Sequence, residues 1–207
     1  CVHIPMRASG NQNVQAVFEL LKPFAEVHVM SGHTHYAENN VYDSHYEHVH
    51  GAACGAWWNS TINVDGTPNG YAIYNIKGAT ITDWVYKGTG LDAQQQIRLY
   101  PANDIFMRDY SKNYQFYYKG DDQIVANVWN ADKDWKIEVY ENGIKTGEMT
   151  HFDYTGNEKD KSWDAWALGY HIGVVGKAEL DSNKKPTSYY QRNVRHLYYL
   201  SLIHISE

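Results

Sequence analysis

The first 35 residues constrain the fold more than any other part of the chain. Val2-His3-Ile4-Pro5 reads as the end of a strand. Asn11 to Phe24 reads as a helix, because Val14, Val17, Phe18, Leu20 and Leu21 recur at helical spacing. Asn11 or Asn13 can cap its start, and Pro23 fits its closing turn. Glu26-Val27-His28-Val29-Met30 is a short apolar run of strand type, stopped by Ser31-Gly32. Strand, helix and strand within about 30 residues is the βαβ rhythm of a layered α/β fold, in which ligands collect at the C-terminal ends of strands. His3 and Gly32-His33-Thr34-His35 both fall at such ends.

Beyond Tyr36 the helical period fades. Residues 70–76 and 80–86 are strand-like, with a hairpin signal at Lys77-Gly78, and Lys87-Gly88-Thr89-Gly90 reads as a linker. Further on, residues 124–129 and 135–140 alternate as strands, joined by the polar turn Asn130–Asp134, with another hairpin turn at Glu141-Asn142-Gly143. Short strands with Gly, Asn and Asp turns predict a β-sandwich. Asn130, Asp132, Asp134 and Glu141 also match calcium-loop spacing. Trp135 stands where such a loop needs glycine, which favours a hairpin turn. The expected division is 1–88, then 91–199 as an all-β domain whose core or interface takes Tyr110, Tyr114, Phe116, Tyr117 and Trp129.

Net charge is −6 with no basic run, which argues against nucleic acid or an anionic membrane as partner, and no apolar stretch spans a bilayer. Cys1 and Cys54 can form a thiol pair, or Cys54 can simply be a small buried residue. The chain starts at Cys1 on what reads as a strand end, so an upstream portion is expected, and a signal peptide is not observable. Residues 200–207 resemble a translated sequencing adapter and are read as a non-native tail, with a native apolar strand as the alternative. Seven Trp and 18 Tyr raise a different possibility. Trp57, Trp58, Trp129, Trp135, Trp163 and Trp166 can stack sugars, making a carbohydrate-binding β module, or they can be buried sheet aromatics.

Seven of the 11 histidines lie in the first 50 residues, which makes this part the place to seek a metal. In extended backbone, residues two apart share a side, so His33 and His35 are expected to face one cavity. Neutral imidazole suits Zn, Fe and Mn. His28 alternates with Val27 and Val29 and reads as a packed strand residue. His45, Glu47, His48 and His50 read as a loop bordering a substrate pocket, as a second metal site, or as plain polar loop.

A strand ending in His-x-Pro, a helix, and a strand ending in Gly-His-Thr-His together resemble the calcineurin-like metallophosphoesterases. Residues 47–58 and 65–71 are similar to a bacterial branch with an appended β-rich domain. The resemblance implies an α+β chain: the C-terminal part of a four-layer αββα catalytic domain, then an all-β sandwich. It implies two divalent metal ions (Zn, Mn or Fe), His3 and His33 on one and His35 on the other. These would polarise a small phosphorylated substrate and activate a water for in-line attack on phosphorus. Arg7 is a candidate donor to the phosphoryl oxygens, or a surface arginine; Asn39, His48 and His50 are weaker substrate-binding candidates. The resemblance places the family's Asp-x-His, Gly-Asp and Gly-Asn-His motifs, including its proton donor, upstream of these residues, and Gly-Asn-His does not occur in this chain. These residues alone are therefore expected to be inactive, with phosphate-ester hydrolysis belonging to the parent protein. By analogy with the branch, that protein is expected to be periplasmic or secreted.

Overall fold

Pro23 sets the end of the first helix. It has no N–H, and its ring disfavours helical backbone at Lys22, so α1 spans Gln12–Leu21 and Phe24 N closes on Leu21 O at 3.1 Å. The computed structural model describes residues 1–6, 12–58, 60–101, 122–152, 163–175 and 193–201. Among these, helices and several small sheets give an α+β architecture. Arg7, Tyr110, Tyr114, Phe116 and Tyr117 lie outside the described residues.

After α1 come β1 (His28–Ser31), β2 (Glu38–Val41) and β3 (Tyr46–Val49). They form a sheet of order β1-β3-β2, with β1 parallel and β2 antiparallel to β3. The expected strand end at Val2–Pro5 is instead a bend held against β1, with Val2 N on Met30 O at 2.9 Å and Gly32 N on His3 O at 3.1 Å. Pro5 has no N–H with which to continue a ladder. Glu47 and His48 were expected on a loop. They sit in β3, the central strand of the sheet, where Glu47, His48 and Val49 are all buried, so both faces of the strand are covered.

β4 (Gly70–Lys77) and β5 (Thr80–Gly88) form the expected hairpin around Gly78-Ala79. β6 (Ile97–Pro101), β7 (Gln123–Val128), β10 (Thr150–His151) and β11 (Leu197–Ser201) form an antiparallel sheet of order β10-β11-β7-β6. β8 (Glu138–Glu141) and β9 (Ile144–Glu148) pair through Asn142-Gly143, both at positive φ, as a two-residue hairpin turn demands. Asn130–Asp134 therefore does not join a hairpin: β7 lies between β6 and β11, and β8 pairs with β9. Residues 130–134 are a turn tied to other segments. Asp132 Oδ1 accepts from Asp134 N at 2.9 Å, its Oδ2 accepts from Tyr46 Oη at 2.9 Å, and Asn130 Nδ2 donates to Trp84 O at 2.9 Å. No calcium-type convergence results. Leu200 and Ser201 extend β11 opposite Ile124 and Gln123.

Period-two alternation along β7 feeds two apolar clusters, one on each face of its sheet. Val125 joins Tyr36, Ala56, Val64, Tyr100, Ala165, Leu168, Val194 and Leu197; Ala126 and Val128 join Ala131, Met149 and Tyr198. The first cluster draws residues from both sides of the turn at 88–91 and is covered by the short helix Ala165–Tyr170. No helix among the described residues is long and apolar enough to cross a membrane.

Gly66 stands where three side chains converge. A Cβ there would lie 2.7 Å from Asp164 Oδ2, 2.8 Å from Arg98 Nη2 and 2.9 Å from Asn127 Nδ2, and its φ is +86°. Gly66→Ala is expected to cost about 2–4 kcal/mol, combining left-handed strain with overpacking, as read by urea denaturation. An unchanged midpoint would show that the surrounding side chains move aside freely.

Candidate metal centre

The backbone around the Gly-His-Thr-His segment is not extended. Thr34 N donates to Gly32 O at 2.8 Å across His33, whose φ is +69°, which makes a γ-turn at the end of β1. His35 is also left-handed, at φ +56°. The expectation that His33 and His35 point one way along an extended strand is therefore corrected. The turn that ends β1 reverses the chain at once, and histidine is among the side chains that tolerate positive φ. Strain of this kind persists only where the surroundings hold it, and it concentrates at working sites.

What the turn does is bring His33 to His3. His33 Nδ1 lies 2.9 Å from His3 Nε2, with ring centroids 4.8 Å apart in an edge-on arrangement. Both rings are exposed. The His3 arm is anchored on the far side of Pro5, where Met6 N donates to the buried Glu47 Oε1 at 2.6 Å. His35 turns elsewhere. Its Nδ1 donates to Gly55 O at 2.7 Å, and Trp58, 71% exposed, stands edge-on at 5.6 Å. That Nδ1–H bond places the ring's lone pair on Nε2, the tautomer a metal-ligating histidine uses.

These side chains fit a metal as imidazole donors but fall short of a full sphere. His3 and His33 can offer two nitrogens to one ion and His35 a third to another. Among the described residues no group of three or more His, Cys, Asp or Glu converges as a metal site.

The weaker candidates face inward. Asn39, on β2 opposite His48, donates to Asn130 O and Ala131 O, each at 3.1 Å. His48 is fully buried, its Nε2 2.9 Å from His28 Nδ1. His28 Nε2 in turn meets Glu26 Oε1 at 3.0 Å. His50 Nε2 pairs with Tyr74 Oη at 2.9 Å. Burial pushes His48 down to about 3, with His28 and His50 adding repulsion, and pushes His50 down to about 4. His45, also lowered by burial, stacks between Phe18 and Tyr42. Of the tryptophans, Trp129 is buried, Trp163 and Trp166 pack on the core, and the Arg98 guanidinium lies 3.9 Å over the Trp166 ring.

Asp65 is the residue that sequence reasoning missed here. It is 1% exposed and lies under the histidine bend, where its Oδ2 accepts from Ala37 N at 2.7 Å and meets His196 Nε2 at 3.0 Å. The one local signal was Asp-x-Thr, since Thr67 N and Oγ1 both reach Asp65 Oδ1, at 3.1 and 2.8 Å.

Residues 47–204 match the family model described as the C terminal of calcineurin-like phosphoesterase. His3, His33 and His35 lie upstream of the matched residues. No curated protein and no solved structure matches the chain.

Proposed function

Since the chain belongs to the calcineurin-like phosphoesterases, we propose that it serves metal-dependent hydrolysis of phosphate esters, with His3, His33 and His35 among the metal ligands of the parent protein. One observation carries this reading: a strained γ-turn at the end of β1 sets His33 Nδ1 2.9 Å from His3 Nε2. Divalent ions at such a centre supply Lewis acidity toward a phosphate ester. The chain's own part is positional. β1 and the Glu47–Met6 bond fix the two exposed rings, and the Gly55 carbonyl fixes the tautomer of His35. The layering we propose is that residues 1–88 complete a four-layer catalytic domain and that 91–199 form a sandwich appended to it.

Three imidazoles supply too few donors for two ions. These 207 residues alone are therefore expected to show no metal-dependent turnover of p-nitrophenyl phosphate. They are expected to bind Zn²⁺ in calorimetry, and His33→Ala is expected to weaken that binding at least tenfold, in line with the loss of one of a few ligands. Undiminished Zn²⁺ binding in the His3→Ala, His33→Ala double variant would remove these residues from the site.

A further inference from the structure

We propose that Asp65 is the positioning residue of the histidine bend, clamping residues 32–37 onto the C-terminal sheet through His196. As a statement about metal ligands this rests on the reading above; as a statement about the bend it does not.

The bend holds two non-glycine residues in left-handed backbone within three positions, at His33 and His35. Such a conformation persists only where its surroundings over-determine it. Inside the bend there is little to do so: Thr34 N on Gly32 O at 2.8 Å, and Thr34 Oγ1 on Tyr36 O at 3.4 Å. Outside it, Gly32 N is held on His3 O and His35 Nδ1 on Gly55 O, and the backbone that follows is restrained by residues 64 and 65. Val64 N donates to His35 O at 3.2 Å, and Asp65 Oδ2 accepts from Ala37 N at 2.7 Å. The backbone is thus tied on either side of Tyr36, whose ring is itself buried in the core.

Asp65 is in turn held from the other end of the chain. His196, 1% exposed and next to β11, sets Nε2 3.0 Å from the same Oδ2. Asn127, on β7, donates from Nδ2 to Asp65 O at 2.8 Å. Thr67 occupies the second carboxylate oxygen. A carboxylate this deeply buried keeps its place only with every lone pair engaged, which makes it a rigid strut rather than a soft contact. On this geometry the matched C-terminal region does more than follow the histidines. It fixes the backbone from which His33 and His35 project.

The test is residue-resolved amide hydrogen exchange on the 207-residue chain, with Zn²⁺ calorimetry alongside. Asp65→Ala is expected to speed exchange at the Gly32–Ala37 amides at least tenfold more than at Val125–Val128, and to weaken Zn²⁺ binding at least tenfold. Thr67→Val, which removes one of the two bonds on Oδ1 without touching the Oδ2 bond to Ala37, is expected to raise exchange at the bend less than Asp65→Ala does. His196→Leu is the second probe should Asp65→Ala fail to fold; it keeps the carboxylate on Ala37 but removes the donor that ties it to the sheet, and Ala37 exchange should still rise. Exchange that rises equally everywhere, or a bend that does not respond to either variant, overturns the clamp. If the bend responds but the wild-type chain takes up no Zn²⁺, the clamp stands and the metal reading fails.

Discussion

Asp164→Ala is expected to lower the stability of the chain by about 3–5 kcal/mol, the range for breaking a buried charged network from one side. Asp164 is 3% exposed and begins the short helix Ala165–Tyr170, where its Oδ1 accepts from Ala167 N at 2.8 Å. That cap alone is worth about 1 kcal/mol. The rest comes from side chains stranded without water. Asn127 Nδ2 reaches Asp164 Oδ2 at 2.5 Å, Tyr100 Oη reaches Oδ1 at 3.3 Å, and Arg98 Nη2 lies 3.8 Å from Oδ2 while also donating to Gly66 O. Each buried donor left unpaired costs roughly 1–3 kcal/mol, although Asn127 keeps its bond to Asp65 O. Asp164→Asn retains a cap acceptor but turns an amide toward another amide at Asn127, so an intermediate loss is expected. Urea denaturation at pH 7 reads both variants. A loss under 1 kcal/mol in Asp164→Ala would mean that water or a moved side chain satisfies the network.

The same network shows which parts of the fold could be read from the sequence. α1, β1 and the β4–β5 hairpin were legible because each rests on local rules: helical spacing from Val14 to Leu21, an apolar run stopped by Ser31-Gly32, and a glycine turn at Gly78. That His3 and His33 meet was legible from the family resemblance, although Val2–Pro5 is a bend beside β1 and not a strand end. The left-handed bend was not, because alternation assumes extended backbone and nothing in Gly-His-Thr-His announces two positive φ values. The partner of β7 was misplaced for a similar reason. Residues 124–129 and 135–140 both alternate, but alternation says nothing about which strand lies alongside, and the true neighbours are β6 and β11. The Asp65–His196 pair spans 131 positions, so no local pattern contains it. His45, Glu47 and His48 looked like a polar loop by composition alone. Glu47 and His48 are buried because β3 lies between β1 and β2, and His45, just before β3, because it stacks between Phe18 and Tyr42, which are properties of the fold and not of the segment.

That burial has a consequence in acid. His48 and His171 are both fully buried, and burial holds them neutral, at about 3 and about 4, while half-buried His50 sits at about 4. In the unfolded chain all three titrate near 6.5. Between these values the unfolded state binds more protons than the folded state, so stability falls as pH falls. The loss begins near pH 6.5 and grows until the folded-state values near 3–4 are reached, and one fully buried imidazole is linked to roughly 3–5 kcal/mol over that span. The surroundings of His48 offer no relief. His28 and His50 would repel its charge, and Tyr46, Tyr74 and Trp84 pack edge-on around its ring. Tyr74 Oη, which pairs with His50, is itself buried enough to stay protonated. Glu26, the nearest carboxylate along the chain of contacts, touches His28 and not His48. Urea midpoints measured at pH 7, 6, 5 and 4 are expected to fall steadily, and His48→Phe, which keeps an aromatic ring but removes the titrating group, is expected to flatten that slope by about one group's share. A midpoint constant from pH 7 to 4, or an equal slope in His48→Phe, would mean that His48 takes up its proton in the folded chain at little cost and that the β1–β3 interface opens to water.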